Sequence, residues 1–469
     1  MDLHVIERIN RIWARIYPPL ARFISDIYGR REGDCLELGP FSGGIAREVL
    51  SLLPGLRGVV AIESPELRQA LCQEIEDTSL ARRVIIDPSP LLPLTFIDHS
   101  YDLVVCRGAF FFLSPPLLKE IYRVLRTGGV AIVGGGYGPA TPLELINEIA
   151  EESRQLNLQL GKQWLSEADL NHMLAEASLS EKAEIIREGG LWVILRSPEG
   201  KKEEQPSLVD AFALREREVI SLVGAGGKTT LMFALARELL GKGHTVITTT
   251  TTRIAEPDPE DTPCLVIEAD EGKAMTLLKD GLVGHGHCTF APQRFVGRKI
   301  GGTAPAFIER LASMQTADYI IVEADGARRL PLKAPAEHEP VISSATTLLI
   351  PIVGIDALGK PLNEETAFRP ELIAKLTKTR LGDPVTTAMM ALLIVHPQGL
   401  GKGTPAGARI IPFINKVETI ERLKGAREIG NEVLRKGAPQ IKRVALGRLF
   451  FHRPMVEIIE RRSGSEEAL

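Results

Sequence analysis

Apolar and polar positions follow two patterns along the chain that predict strands and helices in turn. Short apolar runs end in a glycine or an acid, as at Asp34–Gly39, Gly58–Glu63, Val219–Val223 and Asp318–Gly326. Between such runs, apolar residues recur three or four positions apart, which is typical of helices packed on a sheet. This succession of strand, turn and helix predicts an α/β protein with two doubly wound, mainly parallel-sheet domains.

The first segment of the chain predicts two helices. Residues 3–29 carry isoleucines at helical spacing, and Pro18-Pro19 predicts a break between the helices. We interpret the first helix as one that caps a domain, in preference to one that lies on a membrane surface.

Composition favours a cytoplasmic globular protein. The 469 residues exceed one ordinary domain, and the net charge of −4 without a basic, aromatic-rich stripe argues against a nucleic-acid partner. The five cysteines are scattered, as expected in a reducing compartment. Apolar runs stay shorter than the ~18 residues that a spanning helix needs. We therefore expect a cytoplasmic protein with no nucleic-acid and no membrane partner.

The first half of the chain shows acids and a glycine at the ends of consecutive strands. Glu37 and Gly39 close the first strand, and Glu63 closes the second. In a doubly wound sheet, an acid at the end of the second strand meets ribose hydroxyls of a ligand that lies over the first turn. A dinucleotide site needs three spaced glycines, but Phe41 stands where the middle glycine would be, so another nucleoside cofactor is indicated.

Residues 30 to 196 resemble the class I S-adenosylmethionine-dependent methyltransferases. The resemblance rests on the Glu37-x-Gly39 loop, on Asp87 before a Leu-Pro-Leu-Thr-Phe-Ile-Asp98 stretch, on the Arg126-Thr-Gly-Gly129 turn, and on a closing hairpin at 182–196. It implies S-adenosyl-L-methionine as cofactor. The residues it implies in cofactor binding are Glu37, Gly39 and Gly43 near the methionine moiety, Glu63 on the ribose and Asp87 near the adenine.

Two questions about this domain stay open in the sequence. A doubly wound scaffold that has lost its cofactor is the alternative, because Phe41 makes the loop bulkier than in the family pattern. No base for the methyl acceptor is recognisable, and Tyr137 is a candidate pocket residue.

The second half is organised around a glycine-rich turn between an apolar strand and a helix that we expect to begin at Leu231. Glycines without Cβ atoms let a phosphate approach the backbone, and the helix N-terminus adds positive charge. Lys228 would reach the β- and γ-phosphates, and Thr229 would bind Mg²⁺. The predicted ATP- or GTP-binding residues are Gly224, Gly226, Gly227, Lys228, Thr229 and Thr230. Leu222 stands at the usual first glycine, and a plain strand–turn–helix corner is the alternative.

Acids at the end of a later strand predict the metal site. Glu323 and Asp325 end the apolar strand Asp318–Gly326, which is typical of Mg²⁺ ligands beside a phosphate loop. With Thr229 they form the predicted metal set, and with Lys228 the predicted catalytic set. Arg328, Arg329 and Lys333 follow, either as a solvated face or as cations over an anionic substrate.

Three further groups carry weaker signals. Asn415, Lys416 and Glu418 end a strand in the way that GTPases hold guanine, but Glu418 replaces the usual aspartate, so ATP and GTP remain alternatives. The threonines at 248–252 serve either packing or ligand contacts. We interpret His285–Cys288 as loop residues, since no further metal ligands accompany them.

Residues 208 to 455 resemble the YqeC-type selenium cofactor biosynthesis proteins. The resemblance rests on Ser221–Thr230, Thr248–Arg253, Glu323–His338, Val353–Asp356 and Phe368–Glu371. This resemblance implies that the protein is an accessory factor in the maturation of a selenium-containing molybdenum cofactor for selenium-dependent molybdenum hydroxylases. The partners it implies are a small-molecule or cofactor intermediate and a molybdenum hydroxylase or its other maturation factors.

The predicted organisation is a methyltransferase-like domain at 1–196, a linker at 197–206, a P-loop NTPase domain at 207–460 and a tail at 461–469. Together the two halves predict an enzyme, a P-loop NTPase with an S-adenosylmethionine-dependent methyltransferase domain. Two alternatives remain. One is a small-molecule methyltransferase whose second domain is regulatory, and the other is a nucleotide-switched, non-catalytic delivery chaperone.

Overall fold

The computed structural model describes residues 3–76, 78–161, 165–200 and 206–461. The chain divides into two compact units, residues 1–204 with 450–452 (unit 1) and residues 205–449 with 453–469 (unit 2). Half of the predicted linker, at 201–205, and nearly all of the predicted tail, at 462–469, lie outside the described residues.

Unit 1 alternates strands and helices along the chain, and its elements are α1 (Leu3–Trp13), α2 (Tyr17–Tyr28), β1 (Glu32–Leu38), α3 (Gly44–Leu52), β2 (Gly55–Ala61), α4 (Pro65–Ile75), β3 (Val84–Asp87), β4 (Tyr101–Arg107), α5 (Pro115–Val124), β5 (Leu125–Gly136), α6 (Leu143–Gln159), α7 (Glu167–Glu176), β6 (Ala183–Ile186) and β7 (Gly190–Arg196). Within the described residues its sheet has the order β3-β2-β1-β4-β5-β7-β6. Strands β1 to β5 are parallel, and β7 is antiparallel to both β5 and β6. The predicted closing hairpin is confirmed.

The strand order of unit 1 reverses between β1 and β4. Both strands pair with each other in parallel, so the loops that follow them open at the same edge of the sheet. A crevice at such a reversal is where doubly wound sheets bind ligands. Central strand β4 is buried along its whole length, as expected of a parallel strand covered on both faces.

The break between the first two helices lies earlier than predicted. Residues 14–16 form a short 3₁₀ turn, and Pro18 and Pro19 lie in the first turn of α2. Proline suits a first helical turn, because its missing N–H would have no partner within the helix there. The proline pair therefore begins a helix and does not interrupt one.

A buried charge cluster holds the first residues of β5. Arg126 donates hydrogen bonds to Asp102 and, at 3.2 Å, to Asp34 Oδ2, while the Asp34 N–H donates to Asp102 Oδ2 at 2.9 Å. The predicted Arg126-Thr-Gly-Gly129 turn is wrong, because these residues lie within β5, at an irregularity in its pairing with β4. Arg126 joins strands β1 and β4 to β5.

Unit 2 continues the alternation, and its elements are α8 (Leu208–Ala211), β8 (Glu218–Gly224), α9 (Lys228–Gly241), β9 (Val246–Thr250), β10 (Ile254–Ala255), β11 (Leu265–Ile267), α10 (Glu271–His285), β12 (His287–Ala291), β13 (Arg294–Phe295), β14 (Lys299–Ile300), α11 (Pro305–Ser313), β15 (Tyr319–Glu323), β16 (Leu332–Lys333), β17 (Leu348–Gly354), β18 (Ala367–Phe368), α12 (Pro370–Thr377), α13 (Thr387–Val395), β19 (Arg409–Ile410), β20 (Phe413–Asn415), α14 (Ile420–Lys436), β21 (Arg443–Gly447) and β22 (Met455–Glu460).

The main sheet of unit 2 has the order β11-β12-β9-β15-β8-β17-β20-β21-β22, with β19 also paired to β17. Its strands are parallel except for β22, which is antiparallel to β21. Strand β15 lies directly beside β8, and Glu323 pairs in register with Leu222. This pairing brings the acids after β15 next to the glycine turn after β8. Both units therefore have the predicted mixed α/β architecture with mainly parallel sheets.

Thr248–Thr250 and His287 contribute to the sheet of unit 2. Thr248 Oγ1 lies 3.0 Å from His287 Nε2, and Thr249 Oγ1 donates to the carbonyl of Phe290 at 2.9 Å. Burial lowers the pKa of His287 to about 4, with a smaller effect from the nearby Arg237 charge. The loop interpretation of His285–Cys288 is wrong, because His285 ends helix α10 and His287 and Cys288 begin strand β12.

Among the described residues, no helix combines the length and the apolar character needed to cross a membrane.

Candidate functional site

The turn between β8 and α9 requires glycine. Gly224 and Gly226 have φ angles of 95° and 84°, in the region that L side chains rarely adopt. A Cβ at Gly224 would lie 2.3 Å from the Ile352 carbonyl oxygen, and one at Gly226 would lie 2.4 Å from the Gly354 nitrogen. Neighbouring β17 therefore packs against the turn so closely that only glycine fits.

The free donors of this turn lie at the start of α9. The N–H groups of Gly224, Ala225 and Gly226 donate to Asp325, Ile352 and Leu330 respectively. Helix α9 begins at Lys228, three positions before the predicted Leu231, and Gly227 gives it no side-chain cap. The N–H groups of a first helical turn have no carbonyl partner within the helix. Backbone donors at Lys228, Thr229 and Thr230 are thus available to an anion.

Lys228 is buried between two carboxylates. Its Nζ lies 3.2 Å from Asp325 Oδ1 and 3.8 Å from Glu323 Oε1, and it donates to the Gly224 carbonyl. The predicted catalytic residues Lys228, Glu323 and Asp325 therefore do lie together.

Asp325 is held on several sides. Its carboxylate accepts the Gly224 N–H at 3.1 Å and lies 3.0 Å from Lys333 Nζ, in addition to the contact with Lys228. Lys333, which is fully buried, donates to the Gly326 carbonyl and to Glu339 Oε2, both at 2.7 Å. These contacts make Asp325 a fixed anchor for the turn.

Glu339 continues the network of alternating charges formed by Lys228, Asp325 and Lys333. Arg369 and Lys333 both donate to its carboxylate. Burial alone would raise the pKa of Glu339, but the hydrogen bonds from Arg369 and Lys333 outweigh it and lower the pKa to about 2. Arg369 falls within the Phe368–Glu371 motif and Glu339 follows directly after Glu323–His338, but their pairing is visible only in the structure.

Glu323 faces the start of α9. The Thr229 hydroxyl donates to Glu323 Oε2 at 2.7 Å. Burial raises the pKa of the Glu323 carboxyl, with Lys228 and the Thr229 hydrogen bond acting in the opposite direction. Among the described residues no group of three or more His, Cys, Asp or Glu side chains could hold a metal ion. A cation here would therefore need the Thr229 hydroxyl and oxygens from a ligand, which is how Mg²⁺ binds beside phosphates.

Asn415 braces the glycine turn. Its Nδ2 donates to the Gly226 carbonyl at 2.8 Å, and its Oδ1 accepts the Leu449 N–H at 3.1 Å. The other two residues of the predicted base site are paired with neighbours. Lys416 Nζ lies 2.8 Å from Asp356 Oδ2, and Arg422 donates to Glu418 Oε2 at 2.6 Å.

The arginines after Asp325 are exposed and have left-handed backbone angles, with φ of 49° at Arg328 and 63° at Arg329. The Arg328 guanidinium lies 4.9 Å from the Phe368 ring centroid, and the Arg369 guanidinium lies 4.4 Å from it. Non-glycine residues in this region carry a cost of about 1–3 kcal/mol each, and such strain is common near functional sites.

Unit 1 brings the predicted S-adenosylmethionine residues to one edge of its sheet. Gly39, Glu63 and Asp87 follow or end the adjacent parallel strands β1, β2 and β3. Glu63 is exposed, and Asp87 accepts the Ser89 N–H at 2.8 Å. Gly43 precedes α3 with a φ of 108°. The side chains of neighbouring strand ends can therefore contact one extended ligand.

Glu37 is buried beneath this edge. Its Oε2 accepts the Ala46 N–H at 2.7 Å, at the first turn of α3. Burial raises the pKa of Glu37 to about 7, although backbone hydrogen bonds from Ala46 and Gly43 lower it in part. Phe41 is also buried, and its ring fills the space where a Cβ on Gly108 would stand. The bulkier loop is thus accommodated by a glycine after β4.

Sequence reasoning missed most of a cavity of about 660 Å³ in unit 1. It named Tyr137, but Trp13 and Arg107 also line this cavity. Arg107 follows the apolar run Leu103–Cys106. An arginine at the buried end of a parallel strand is the sequence feature from which this cavity could have been predicted.

Comparison with known families assigns both halves. A family model described as a methyltransferase domain matches residues 36–133, and a model described as the YqeC protein matches residues 220–371. An uncharacterized protein called YqeC, from Escherichia coli strain K12, is 33% identical over 222 residues, which cover 47% of this chain and 85% of that protein.

Several solved structures with some similarity are described as methyltransferases. A candidate S-adenosylmethionine-dependent methyltransferase from Methanococcus maripaludis has a TM-score of 0.37 at 25% identity and covers 43% of this chain and 95% of its own. A geranyl diphosphate methyltransferase solved with S-adenosylmethionine has a TM-score of 0.30 at 12% identity and covers 39% and 84%. Similarities this low do not identify a function.

Topology and family match together define unit 1 as a Rossmann-like methyltransferase domain, joined in one chain to a second parallel α/β unit that carries the glycine turn. The chain belongs to the YqeC family.

Proposed function

We propose that unit 2 binds ATP or GTP with Mg²⁺ and acts in maturing the selenium-containing cofactor of selenium-dependent molybdenum hydroxylases. The observation that carries the nucleotide proposal is the uncapped start of α9 beside Lys228, Thr229 and Glu323. Backbone donors, a buried cation and an acid–hydroxyl pair at one strand end are what a triphosphate with Mg²⁺ requires.

Each residue would take a distinct role. The α9 backbone donors and Lys228 would bind the phosphates, and the cation would compensate charge that develops during phosphoryl transfer. Thr229 and Glu323 would hold Mg²⁺ directly or through its water shell. Asp325, which already binds Gly224 and two lysines, would position Lys228 and the turn.

Calorimetric titration of the full chain with ATP and GTP in Mg²⁺ tests nucleotide binding. Lys228→Met keeps the apolar stem and removes the charge, so affinity or turnover should fall by about 10²-fold. Lys242→Met, at the exposed other end of α9, is the matched control and should bind as wild type does. Unchanged binding in Lys228→Met would refute the phosphate-site assignment.

The preference of the site for guanine or adenine nucleotides is part of the same proposal. Lys416 and Glu418 would contact guanine, but Glu418 is held by Arg422, so we expect a preference for GTP of about tenfold or less. Glu418→Ala should abolish that preference. An ATP preference that this substitution leaves unchanged would show that Asn415–Glu418 is only a strand end.

The role in selenium cofactor maturation is supported by membership of the YqeC family and by the resemblance of residues 208 to 455 to the YqeC-type selenium cofactor biosynthesis proteins. The partners would be a cofactor intermediate and a molybdenum hydroxylase or its other maturation factors. A nucleotide-driven step fits an accessory protein of this kind, since binding and release can be coupled to the state of the phosphates.

A second function is methyl transfer by unit 1, favoured by the methyltransferase family match. The residues present fit S-adenosylmethionine, because exposed Glu63 can accept from ribose hydroxyls and the turn at Gly39 and Gly43 has no Cβ to block a ligand. When bound, the cofactor would supply an electrophilic methyl group. Glu37 would hold the turn through the Ala46 N–H, and Asp87 would lie on the adenine side.

Thermal shift and calorimetry with S-adenosylmethionine test this second function in the full chain. Glu63→Ala should weaken binding by about 1–3 kcal/mol, because hydrogen bonds to a charged acceptor are lost. Glu76→Ala, exposed at the end of α4, serves as control. Absence of heat and of any thermal shift in wild type would mean that unit 1 is a scaffold without its cofactor.

A further inference from the structure

The cavity in unit 1 lies where strands β1, β4 and β5 end. Phe41, Arg107 and Gly136 line it from the segments at those strand ends, and α1 and α6 line it from outside the sheet. Its volume of about 660 Å³ lies within the range of small-molecule sites. None of the residues predicted to bind S-adenosylmethionine lines it. The cavity is therefore separate from the predicted cofactor residues.

The lining is aromatic and carries positive charge. It includes no Asp and no Glu among the described residues, but it includes two arginines, Arg107 and Arg154. Five aromatic side chains also line it: Trp13, Phe41, Phe110, Phe111 and Tyr137. A cavity with this chemistry favours an aromatic ligand and disfavours a cation.

Arg107 is a buried cation, and the described residues form no ion pair with it. It is 5% exposed, donates to the Tyr17 hydroxyl at 3.2 Å, and lies 4.2 Å from the Trp13 ring centroid. Burying a charge without a counter-ion is costly. The buried Glu37 carboxyl acts on Arg107 electrostatically, but the described residues show no ion pair between the two. An anionic group on a ligand would supply a counter-ion in direct contact, and arginine recognises carboxylates through two parallel hydrogen bonds.

Trp13 adds an independent indication of a ligand. It is 7% exposed, and its Nε1 has no hydrogen-bond partner among the described residues. Buried indole N–H groups usually have a partner. Its ring stacks on Tyr137 at 5.1 Å with an interplanar angle of 12°, so Tyr137 covers one face of the indole and fixes its orientation. An acceptor atom on a planar ligand would complete this site.

We infer that this cavity binds a planar aromatic anion, with Arg107 as its counter-ion and Trp13 as a hydrogen-bond donor. Identifying that anion as the methyl acceptor rests on the proposed methyltransferase function of unit 1. Binding of the anion itself does not depend on it.

Calorimetry of the full chain with matched probes tests the inference. The probes are 2-naphthoate and its neutral counterpart 2-naphthamide, which share the ring system and differ in charge. We expect naphthoate to bind at least about tenfold more tightly than the amide, roughly 1.4 kcal/mol. Equal affinities, or no naphthoate binding up to about 1 mM, would overturn the inference.

Single substitutions test which residues recognise the negative charge of naphthoate. Arg107→Met should remove the preference for naphthoate and leave amide binding unchanged. Trp13→Phe should weaken naphthoate binding, because it removes the N–H donor and keeps an aromatic ring that can stack on Tyr137. If Arg107→Met fails to fold, Arg154→Met at the exposed side of the cavity should still reduce the naphthoate preference, by about threefold. Arg11→Met, exposed on α1 and outside the lining, is the matched control. A naphthoate preference that survives both arginine substitutions would contradict the assignment.

S-adenosylmethionine carries a carboxylate of its own, so the same experiment must distinguish the two anions. We expect its affinity to stay within about twofold in Arg107→Met. Loss of cofactor affinity in Arg107→Met, with competition between cofactor and naphthoate, would reassign Arg107 to the cofactor and overturn the inference. Charge-dependent naphthoate binding without cofactor binding would keep the inference and refute the methyltransferase function.

Discussion

Glu323 is the acid whose surroundings best suit a metal. It accepts the Thr229 hydroxyl and lies within 3.8 Å of Lys228, and burial raises the pKa of its carboxyl. An unpaired carboxylate is costly to bury, and a cation beside a triphosphate would offset that cost. Mg²⁺ should therefore raise nucleotide affinity by about tenfold or more in wild type and much less in Glu323→Gln.

Binding titrations with and without Mg²⁺ measure this difference. Glu428→Gln, exposed on α14, should keep the wild-type magnesium dependence. Equal dependence in wild type and Glu323→Gln would move the ligand role to Asp325 or remove it.

Glu37 makes the stability of unit 1 depend on pH. Burial raises its pKa from 4.5 to about 7, so the folded state holds a proton that the unfolded state has released. Below the unfolded value both states are protonated, and the free energy of unfolding then falls as pH rises from about 4.5 to about 7. The size of the loss is roughly 3 kcal/mol.

Glu37→Gln removes this titration and keeps an oxygen that can accept the Ala46 N–H. Thermal unfolding of unit 1, followed by tryptophan fluorescence between about pH 4.5 and 8, should show wild type losing stability relative to the variant. Parallel pH profiles for the two proteins would show that Glu37 is ionised in both states.

At the scale of elements, the end of β20 supports the glycine turn. The two ends of the Asn415 amide satisfy the Gly226 carbonyl and the Leu449 N–H, both of which would lose their partner in Asn415→Ala. An unsatisfied buried group costs about 1–3 kcal/mol. We expect Asn415→Ala to weaken ATP and GTP binding alike, by about tenfold, because it loosens the turn and touches no base. Competition binding measures both, and a loss confined to GTP would instead assign Asn415 to base recognition.

The strands of both sheets could be predicted from the sequence where they depend on a local pattern of apolar and polar residues. Strand ends with acids at Glu63, Asp87 and Glu323, and the hairpin of β6 and β7, follow from short apolar runs and glycine turns. The start of α9 was predicted three residues late, because Lys228–Thr230 look like loop residues until their first-turn donors are considered. Pro18-Pro19 does not distinguish a break from a helix start, because proline fits both a break and a first turn.

Long-range contacts explain what the sequence could not predict. Asn415 and Gly226 are 189 residues apart, so the support of the turn has no local signal. Arg107 and Trp13 likewise meet only because α1 covers the edge at which β4 ends. Such pairs depend on strand order, which periodicity does not reveal.

At the scale of the whole molecule, the chain combines a methyltransferase domain with a YqeC-type unit. Each unit has its own candidate site, built at the carboxyl ends of its parallel strands, as open α/β sheets generally do. Substitutions at Lys228 and at Glu63 therefore separate the two proposed activities within one protein.

We propose that the nucleotide site of this chain serves selenium cofactor maturation. The most direct test of this proposal is the selenium content of molybdenum hydroxylases purified from a selenium-using host in which this chain has been deleted. We predict that deletion removes selenium and leaves molybdenum in place, that wild type and Lys242→Met restore selenium, and that Lys228→Met does not. Hydroxylases with full selenium in the deletion strain, or full restoration by Lys228→Met, would contradict the account.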